Sequence, residues 1–296
     1  MTTTRPLEAR PAAAESPRAP RPAGEAPPHL SPSAASTFNQ CPRRWRYRYV
    51  DRLDDPAGDA ALVGTLAHRV LELLLNEAPA DRTTERARQL AGQAWPEVAT
   101  HGDFQRLELD TEATRAFKWR AWKAIEGLWR LEDPAAVRVE ATEQRLEVNL
   151  GGVPFVGVVD RVDRIGDQLV VTDYKSGRPP SMRFAEEKLD QVLLYAAAVA
   201  LVAGTRPSLA RLFYLGTTEI GVRSTPANLD RAVGRLADTW SGVQSACSSG
   251  SFPTRAGKLC AWCPFLDRCA EGGAQVQALL EDGWQPVNAP ALARAA

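Results

Sequence analysis

Two carboxylates and an ammonium, Asp160, Asp173 and Lys175, occupy positions from which they can meet. Asp160 ends the apolar run Val158-Val159, and Asp173 and Lys175 follow the run Leu169-Val170-Val171. Gly166-Asp167 between the two runs is a turn signal, so GVVDRVDRIGDQLVVTDYKSG (Gly157–Gly177) predicts a hairpin of two buried strands. Side chains alternate along a strand, so Asp173 and Lys175 share a face. The neighbouring strand then brings Asp160 alongside, and the three groups converge at the hairpin tip. Charges buried there are costly unless they pair or hold a metal. Two carboxylates suit a hard divalent cation such as Mg²⁺. A lysine beside it can orient an attacking water or stabilise charge on a phosphate, which is the equipment of metal-assisted phosphodiester hydrolysis. A surface hairpin with an Asp173–Lys175 ion pair is the plainer alternative.

Sulfur supplies a second chemistry. Of the five cysteines, Cys260, Cys263 and Cys269 form C-x2-C-x5-C in LCAWCPFLDRC, and Cys41 opens CPRRWRYRYV far upstream. Close C-x2-C spacing lets two thiolates reach one centre, and four complete a zinc site or an iron–sulfur cluster. The odd number, the lack of a secretory signal and a chain long enough to bury a core argue against a disulfide framework. Cys247 falls outside the spacing and is expected as a free thiol.

These groups need elements to hold them. Residues 1–30, rich in Pro, Ala and Arg, read as a disordered tail. Ser31-Pro32 starts a helix running through Phe38 toward Cys41. Residues 54–60 form a loop, and a helix over about 62–76 carries Leu66, Val70, Leu73 and Leu74 at helical spacing. A helical region over 83–131 ends in a helix bearing Phe117, Trp119, Trp122 and Trp129. Strands begin near Val137–Leu150, followed by the hairpin, a long apolar helix over 186–203, a strand over 211–216, and a helix over 229–246. A short amphipathic stretch and a polar end close the chain after residue 274. This order predicts an α/β fold with a mixed central sheet flanked by helices.

Taken in order, SPSAASTFNQCPRRWRYRYV (Ser31–Val50), the hairpin and C-x2-C-x5-C resemble the RecB-like PD-(D/E)xK exonuclease family. The iron–sulfur members, which include AddB-type and CRISPR-associated nuclease domains, are the nearer likeness. Val159 stands where the family's name has proline. The resemblance implies a restriction-endonuclease-like core over 31–270, a helical insertion at about 80–132, and a C-terminal tail over 271–296. It implies that Cys41, Cys260, Cys263 and Cys269 hold a [4Fe–4S] cluster, with four-cysteine zinc as the alternative. Such a clasp spans 219 positions from Cys41 to Cys260. By analogy with a disulfide it would contribute about 4–5 kcal/mol through loop closure.

The same resemblance makes GTLAH (Gly64–His68) the helical G-x-x-x-H motif, with His68 at the metal. Gln191 and Tyr195 form its Q-x-x-x-Y motif, positioning DNA or orienting Lys175; the two share a helix face. Asp160, Asp173, His68 and the Tyr174 carbonyl are the expected ligands of Mg²⁺ or Mn²⁺, and Lys175 the catalytic amine. Glu143 is a candidate at the site's edge, with Glu140 and Glu147 as rivals. Asp163 is expected to support the hairpin, in an ion pair with Arg161. Arg43, Arg44, Arg46, Arg48 and Arg52, interleaved with Trp45, Tyr47 and Tyr49, could meet phosphates and bases or pack over the cluster.

Lys+Arg and Asp+Glu balance at 36 each, so any attraction for nucleic acid must come from local patches. The longest apolar run, Val192–Ala203, is too short to cross a bilayer, and a cytoplasmic location is the default. No G-x-x-x-x-G-K-[ST] occurs, so unwinding would fall to a separate helicase. The expected activity is metal-dependent DNA cleavage, with single-strand-preferring exonuclease action in repair or recombination. A CRISPR-adaptation nuclease of the same fold and a non-catalytic DNA-binding subunit are the alternatives.

Overall fold

The computed structural model describes residues 20–22, 24–287 and 289–295. In chain order the helices and strands are α1 (Pro32–Gln40), α2 (Pro42–Tyr49), α3 (Asp59–Leu75), α4 (Thr84–Ala99), α5 (Gly102–Gln105), α6 (Thr111–Glu126), β1 (Arg138–Leu150), β2 (Val153–Ile165), β3 (Gln168–Lys175), α7 (Met182–Ala203), β4 (Leu209–Tyr214), β5 (Thr218–Arg223), α8 (Pro226–Ser249), α9 (Ala270–Glu281) and α10 (Pro290–Ala295). They fall into two compact units. One comprises Pro56–Leu150 and Phe155–Gly234; the other comprises 20–55, Gly151–Pro154 and 235–295.

The first unit is built on a five-stranded sheet in the order β1-β2-β3-β4-β5. β2 and β3 form the predicted hairpin, antiparallel from Ile165↔Gln168 to Arg161↔Thr172, with Gly166 supplying the positive φ of the turn. β3 and β4 are parallel, which requires a long crossover. α7 is that crossover, and its apolar run packs Val192, Ala196 and Val199 into the core. β4 and β5 are antiparallel, so the sheet is mixed, as expected. The sequence pattern missed β5: TEIGVR has no fully buried position, only alternate half-buried ones, as suits an edge strand. α3, α4 and α6 form a helical layer in which Leu66, Val70, Leu74, Leu90, Phe117 and Ile125 share a core with Tyr174 and Phe213. Trp129 belongs to a short 3-10 turn after α6 rather than to the helix.

One face of the β2–β3 hairpin carries a buried ion network. Arg161, fully buried, donates to Asp163 (2.9 Å), to both carboxylate oxygens of Glu132 (2.5 and 2.9 Å) and to the Tyr174 hydroxyl (2.8 Å). Arg211 from β4 donates to Thr172 Oγ1 (2.9 Å) and Asp163 (3.2 Å). Burial alone would lower the Arg161 pKa, but Tyr174, Glu132 and Asp163 outweigh it and the pKa rises. The expected Arg161–Asp163 pair is therefore the centre of a larger set whose other members, Glu132 and Arg211, come from distant segments.

In the second unit, Ser31 caps α1 by accepting from the Ala34 amide (3.2 Å). Pro42 ends α1 by forcing Cys41 into an extended conformation (φ −163°) and opens α2. Trp45 is fully buried against Phe38 and Phe252. The expected disordered tail lies outside the described residues over 1–19. Residues 24–30 and 20–22 depart from that expectation: Arg21 N donates to Val50 O (2.9 Å), and Leu30 is fully buried. An apolar side chain and paired backbone groups hold this stretch in place. After Cys269, α9 and α10 replace the expected tail, with Val276 and Ala291 buried beside Ala261 and Leu266. Among the described residues, no helix is long and apolar enough to cross a membrane.

Candidate active site

The site lies in the first unit, at the end of the central strands. The β2–β3 register continues one step past Arg161↔Thr172 to set Asp160 opposite Asp173. This is the open end of the hairpin, not the turn at Gly166: the strands run six residues beyond the turn before the carboxylates meet. Alternation sends Asp160, Asp173 and Lys175 to one face and Arg161, Asp163, Thr172 and Tyr174 to the other. Asp160 Oδ2 accepts from the Tyr174 amide (2.6 Å), and Lys175 Nζ meets Asp173 Oδ2 at 2.5 Å.

α7 completes this face. Gln191 accepts from Lys175 Nζ at Oε1 (3.4 Å) and donates from Nε2 to Asp173 Oδ1 (3.4 Å) and to the Tyr195 hydroxyl (3.2 Å). The structure thus brings together the expected Lys175, Asp173, Gln191 and Tyr195. Gly157 on β2 makes this approach feasible, because a Cβ there would sit 2.7 Å from Tyr195 Cε1. Tyr195 is pushed well above the usual phenol range by burial and by Asp173, so it keeps its proton. Its oxygen accepts from Gln191, which leaves the phenolic proton available to donate.

α3 supplies His68, whose Nδ1 lies 3.5 Å from Asp160 Oδ2 and whose Nε2 is 3.1 Å from the Tyr174 carbonyl. Glu143 joins them. Ligand atoms of His68, Glu143 and Asp160 all lie within 4.8 Å of one another, and this is the one such group among the described residues. Glu143, which the sequence places at the site's edge, thus lies among the groups that could hold a cation, while Asp173 stands beside them against Lys175. The Tyr174 carbonyl faces the histidine. Of the rivals, Glu140 is neutralised by Arg164 (2.6 Å) and Glu147 by Arg145 (2.7 Å).

A bulge explains Glu143. Along β1, Val139 and Ala141 are less exposed than Arg138 and Glu140; after Glu143, the even positions Gln144, Leu146 and Leu150 are the buried ones. The alternation changes phase at Glu143, whose φ is +45°. A residue in this left-handed region interrupts the pleat and re-aims its side chain. No composition or spacing signal in VEATEQRLEVNL marks the change of phase.

Electrostatically the cluster is short of positive charge. Burial and the neighbouring Asp160 push Glu143 up to about 7. Burial and Asp160 likewise raise Asp173 to about 6 against the pull of Lys175. Burial would lower His68, but Asp160, Asp173 and Glu143 overcome it and lift the ring to about 9. Glu143 and Asp173 thus both hold protons more tightly than free carboxyls, and Asp173 Oδ2 meets the ammonium without an aligned hydrogen bond. This donor set, carboxylate oxygens with one imidazole, fits a divalent cation of the magnesium or manganese kind.

The second unit holds the sulfur cluster. Cys41, Cys260, Cys263 and Cys269 lie near enough to influence one another's charge. A Cβ on Gly272 would stand 3.1 Å from Cys269 Sγ and 3.5 Å from Cys260 Sγ, so a larger residue there would crowd the sulfurs. Burial raises Cys263 and Cys269, while backbone amides at Phe265 and Gly272 act the other way. Cys247 is buried on α8 as a free thiol. The arginines of α2 mostly turn to protein partners: Arg43 to Phe252 O (2.9 Å), Arg46 to Asp51 (3.2 Å) and Arg48 to Asp55 (2.8 Å). Tyr47 donates to Arg268 O (2.9 Å).

A carboxylate–lysine centre at the end of a mixed sheet defines a class of metal-dependent hydrolases. The family follows directly: residues 29–270 match the model of the PD-(D/E)XK nuclease superfamily, and the chain belongs to it. Nucleases of this superfamily generally use divalent metals. Among solved structures, a provisionally named exonuclease from Eubacterium rectale superposes with a TM-score of 0.50 at 13% identity, over 77% of this chain and 84% of that one. That likeness is one of fold. The protein SSO0001 matches at a TM-score of 0.36 and 16% identity, over 84% of this chain and 89% of that one. No curated protein matches significantly.

Proposed function

We propose that the protein is a metal-dependent deoxyribonuclease that trims DNA from free ends, single strands by preference, in repair or recombination. The observation that carries this reading is the convergence of His68, Glu143 and Asp160 beside the Asp173–Lys175 pair. His68, Glu143 and Asp160 would hold Mg²⁺ or Mn²⁺, with Asp173 and the Tyr174 carbonyl at the margin. A bound cation there would polarise the scissile phosphate and acidify a water. Lys175, fixed by Asp173 and Gln191, places its ammonium where charge accumulates on the phosphate under attack. Tyr195 offers a proton to a phosphate oxygen. Gln191 keeps the lysine and the tyrosine at a fixed separation.

The four cysteines would hold a [4Fe–4S] cluster with a structural role. The reading rests on the C-x2-C-x5-C spacing with Cys41 upstream and on the nearness of the four thiols; a four-cysteine zinc site is the alternative. Brown colour and iron content, measured on anaerobically purified protein, separate iron from colourless zinc.

End-labelled single- and double-stranded DNA, digested with Mg²⁺ or Mn²⁺, tests the activity. The expected result is metal-dependent release of short products, fastest from single strands, and its loss in Lys175→Ala with DNA binding retained. Cleavage by Lys175→Ala at the wild-type rate would refute the assignment.

A further inference from the structure

Leu66 and His68 are two residues apart on α3 and so look in different directions. His68 faces the metal site, while Leu66 borders a cavity of about 610 Å³ walled by α3, α4 and α6. Its other walls are unusual for an apolar hollow. Three indoles, Trp95, Trp119 and Trp122, alternate with three cations, Arg88, Arg115 and Lys118, and no carboxylate lines it among the described residues. Lys118 Nζ stands 4.0 Å over the Trp95 ring and Arg88 Cζ 4.7 Å over Trp122. Trp119 is 59% exposed, with a further cation, Lys123 Nζ, 5.3 Å from its ring centre. Arg88 also faces Glu85 at 3.6 Å, an exposed pair of little energetic weight.

The geometry points to a binding groove for unpaired nucleotides of a single-stranded nucleic acid. Indoles give stacking faces to bases of any sequence, and the interleaved cations meet the phosphates between them. An acidic peptide would satisfy the cations but has no flat ring for Trp119. Leu66 at the groove and His68 at the site are both on α3, and a helix is about 10–12 Å across, a span of a few nucleotides. One strand could therefore stack in the groove while its neighbouring phosphate reaches the carboxylates. The choice of nucleic acid rests on the nuclease reading, and the groove extends that reading to how the substrate is gripped.

The test uses the full chain in EDTA, so that binding is read without cleavage. A labelled oligothymidylate of about twenty nucleotides is titrated by anisotropy, with tryptophan emission followed in parallel. Trp119→Ala and Arg115→Glu should each weaken binding about tenfold or more, and Trp119→Ala should remove much of the emission quench. Both positions are on the helix surface, and unchanged thermal melts would verify folding. Binding by both folded variants at wild-type affinity would overturn the proposal. So would polyglutamate displacing the oligonucleotide at equal concentration. If the wild type cuts nothing with Mg²⁺ or Mn²⁺ but Trp119→Ala still loses binding, the nuclease reading fails and the groove stands. If the wild type cuts while both variants bind unchanged, the groove alone fails.

Discussion

The two faces of one hairpin bury charge in opposite ways. On one, Arg161 and Arg211 meet Asp163 and Glu132, Arg211 also reaches Glu219 at 3.6 Å, and Thr172 and Tyr174 take up further hydrogen bonds. On the other, Asp160, Asp173 and Glu143 face Lys175 and His68, and Glu143 and Asp173 answer the deficit by holding protons at raised pKa. The sets lie on alternate residues of the same strands and share Tyr174. Its hydroxyl is fixed by Arg161, while its amide and carbonyl touch Asp160 and His68. A closed charge set braces a fold; an open one leaves carboxylates that could hold a cation.

Substitutions can sharpen or break that contrast. The largest effect belongs to Lys175→Ala on the open side, where turnover should fall at least about 10²–10³-fold in a single-turnover assay while the melting temperature holds. On the closed side, Arg161→Met strands two buried carboxylates, at a cost of about 3–5 kcal/mol. That predicts a melting temperature lower by roughly 6–20 °C for a chain of this size. Equal stability losses from the two substitutions would erase the distinction. Glu143→Gln should weaken metal binding about 10–100-fold, read by calorimetry, without lowering the melting temperature of the metal-free protein. An unaltered metal affinity would return Glu143 to the margin.

The smallest effect is in pH. His68 is raised from 6.5 to about 9, so its stabilisation is complete below 6.5 and is lost as pH climbs through 9. Glu143 and Asp173, raised to about 7 and about 6, also keep protons in the fold that the unfolded chain has released. All three make the metal-free protein less stable as pH rises from about 4 to about 9. A divalent cation competes for the same groups, so the stabilisation by Mg²⁺ should grow over that range. Melting curves from pH 5 to 9, with EDTA or with Mg²⁺, should diverge by a few degrees; parallel curves would mean that the ion binds elsewhere.

What sequence could reveal followed locality. The hairpin was legible because its apolar runs, turn and polar ends sit within one short segment. Helical spacing exposed α3 and α7, whereas His68, Gln191 and Tyr195 on them were marked out only by the resemblance to the family's motifs. The ion network was half hidden: Arg161 and Asp163 are neighbours in sequence, but Glu132 and Arg211 arrive from other segments and carry no pattern of their own. Glu143 could not be told from Glu140 and Glu147 by alternation, because the phase change at its positive φ leaves no mark in the sequence. β5 escaped because an edge strand needs no buried face. The groove's indoles were visible as residues, but only the packing of α4 against α6 interleaves them with cations.

The interruption of β1 at Glu143 has an evolutionary corollary. It is a single surplus residue, so a deletion of one codon nearby would restore an unbroken pleat. Both halves of the strand could keep their neighbours while the carboxylate swung out to water. The scaffold would survive as a binding protein without its chemistry, and relatives silenced by that route should differ from active ones by one residue of strand length rather than by a missing lysine.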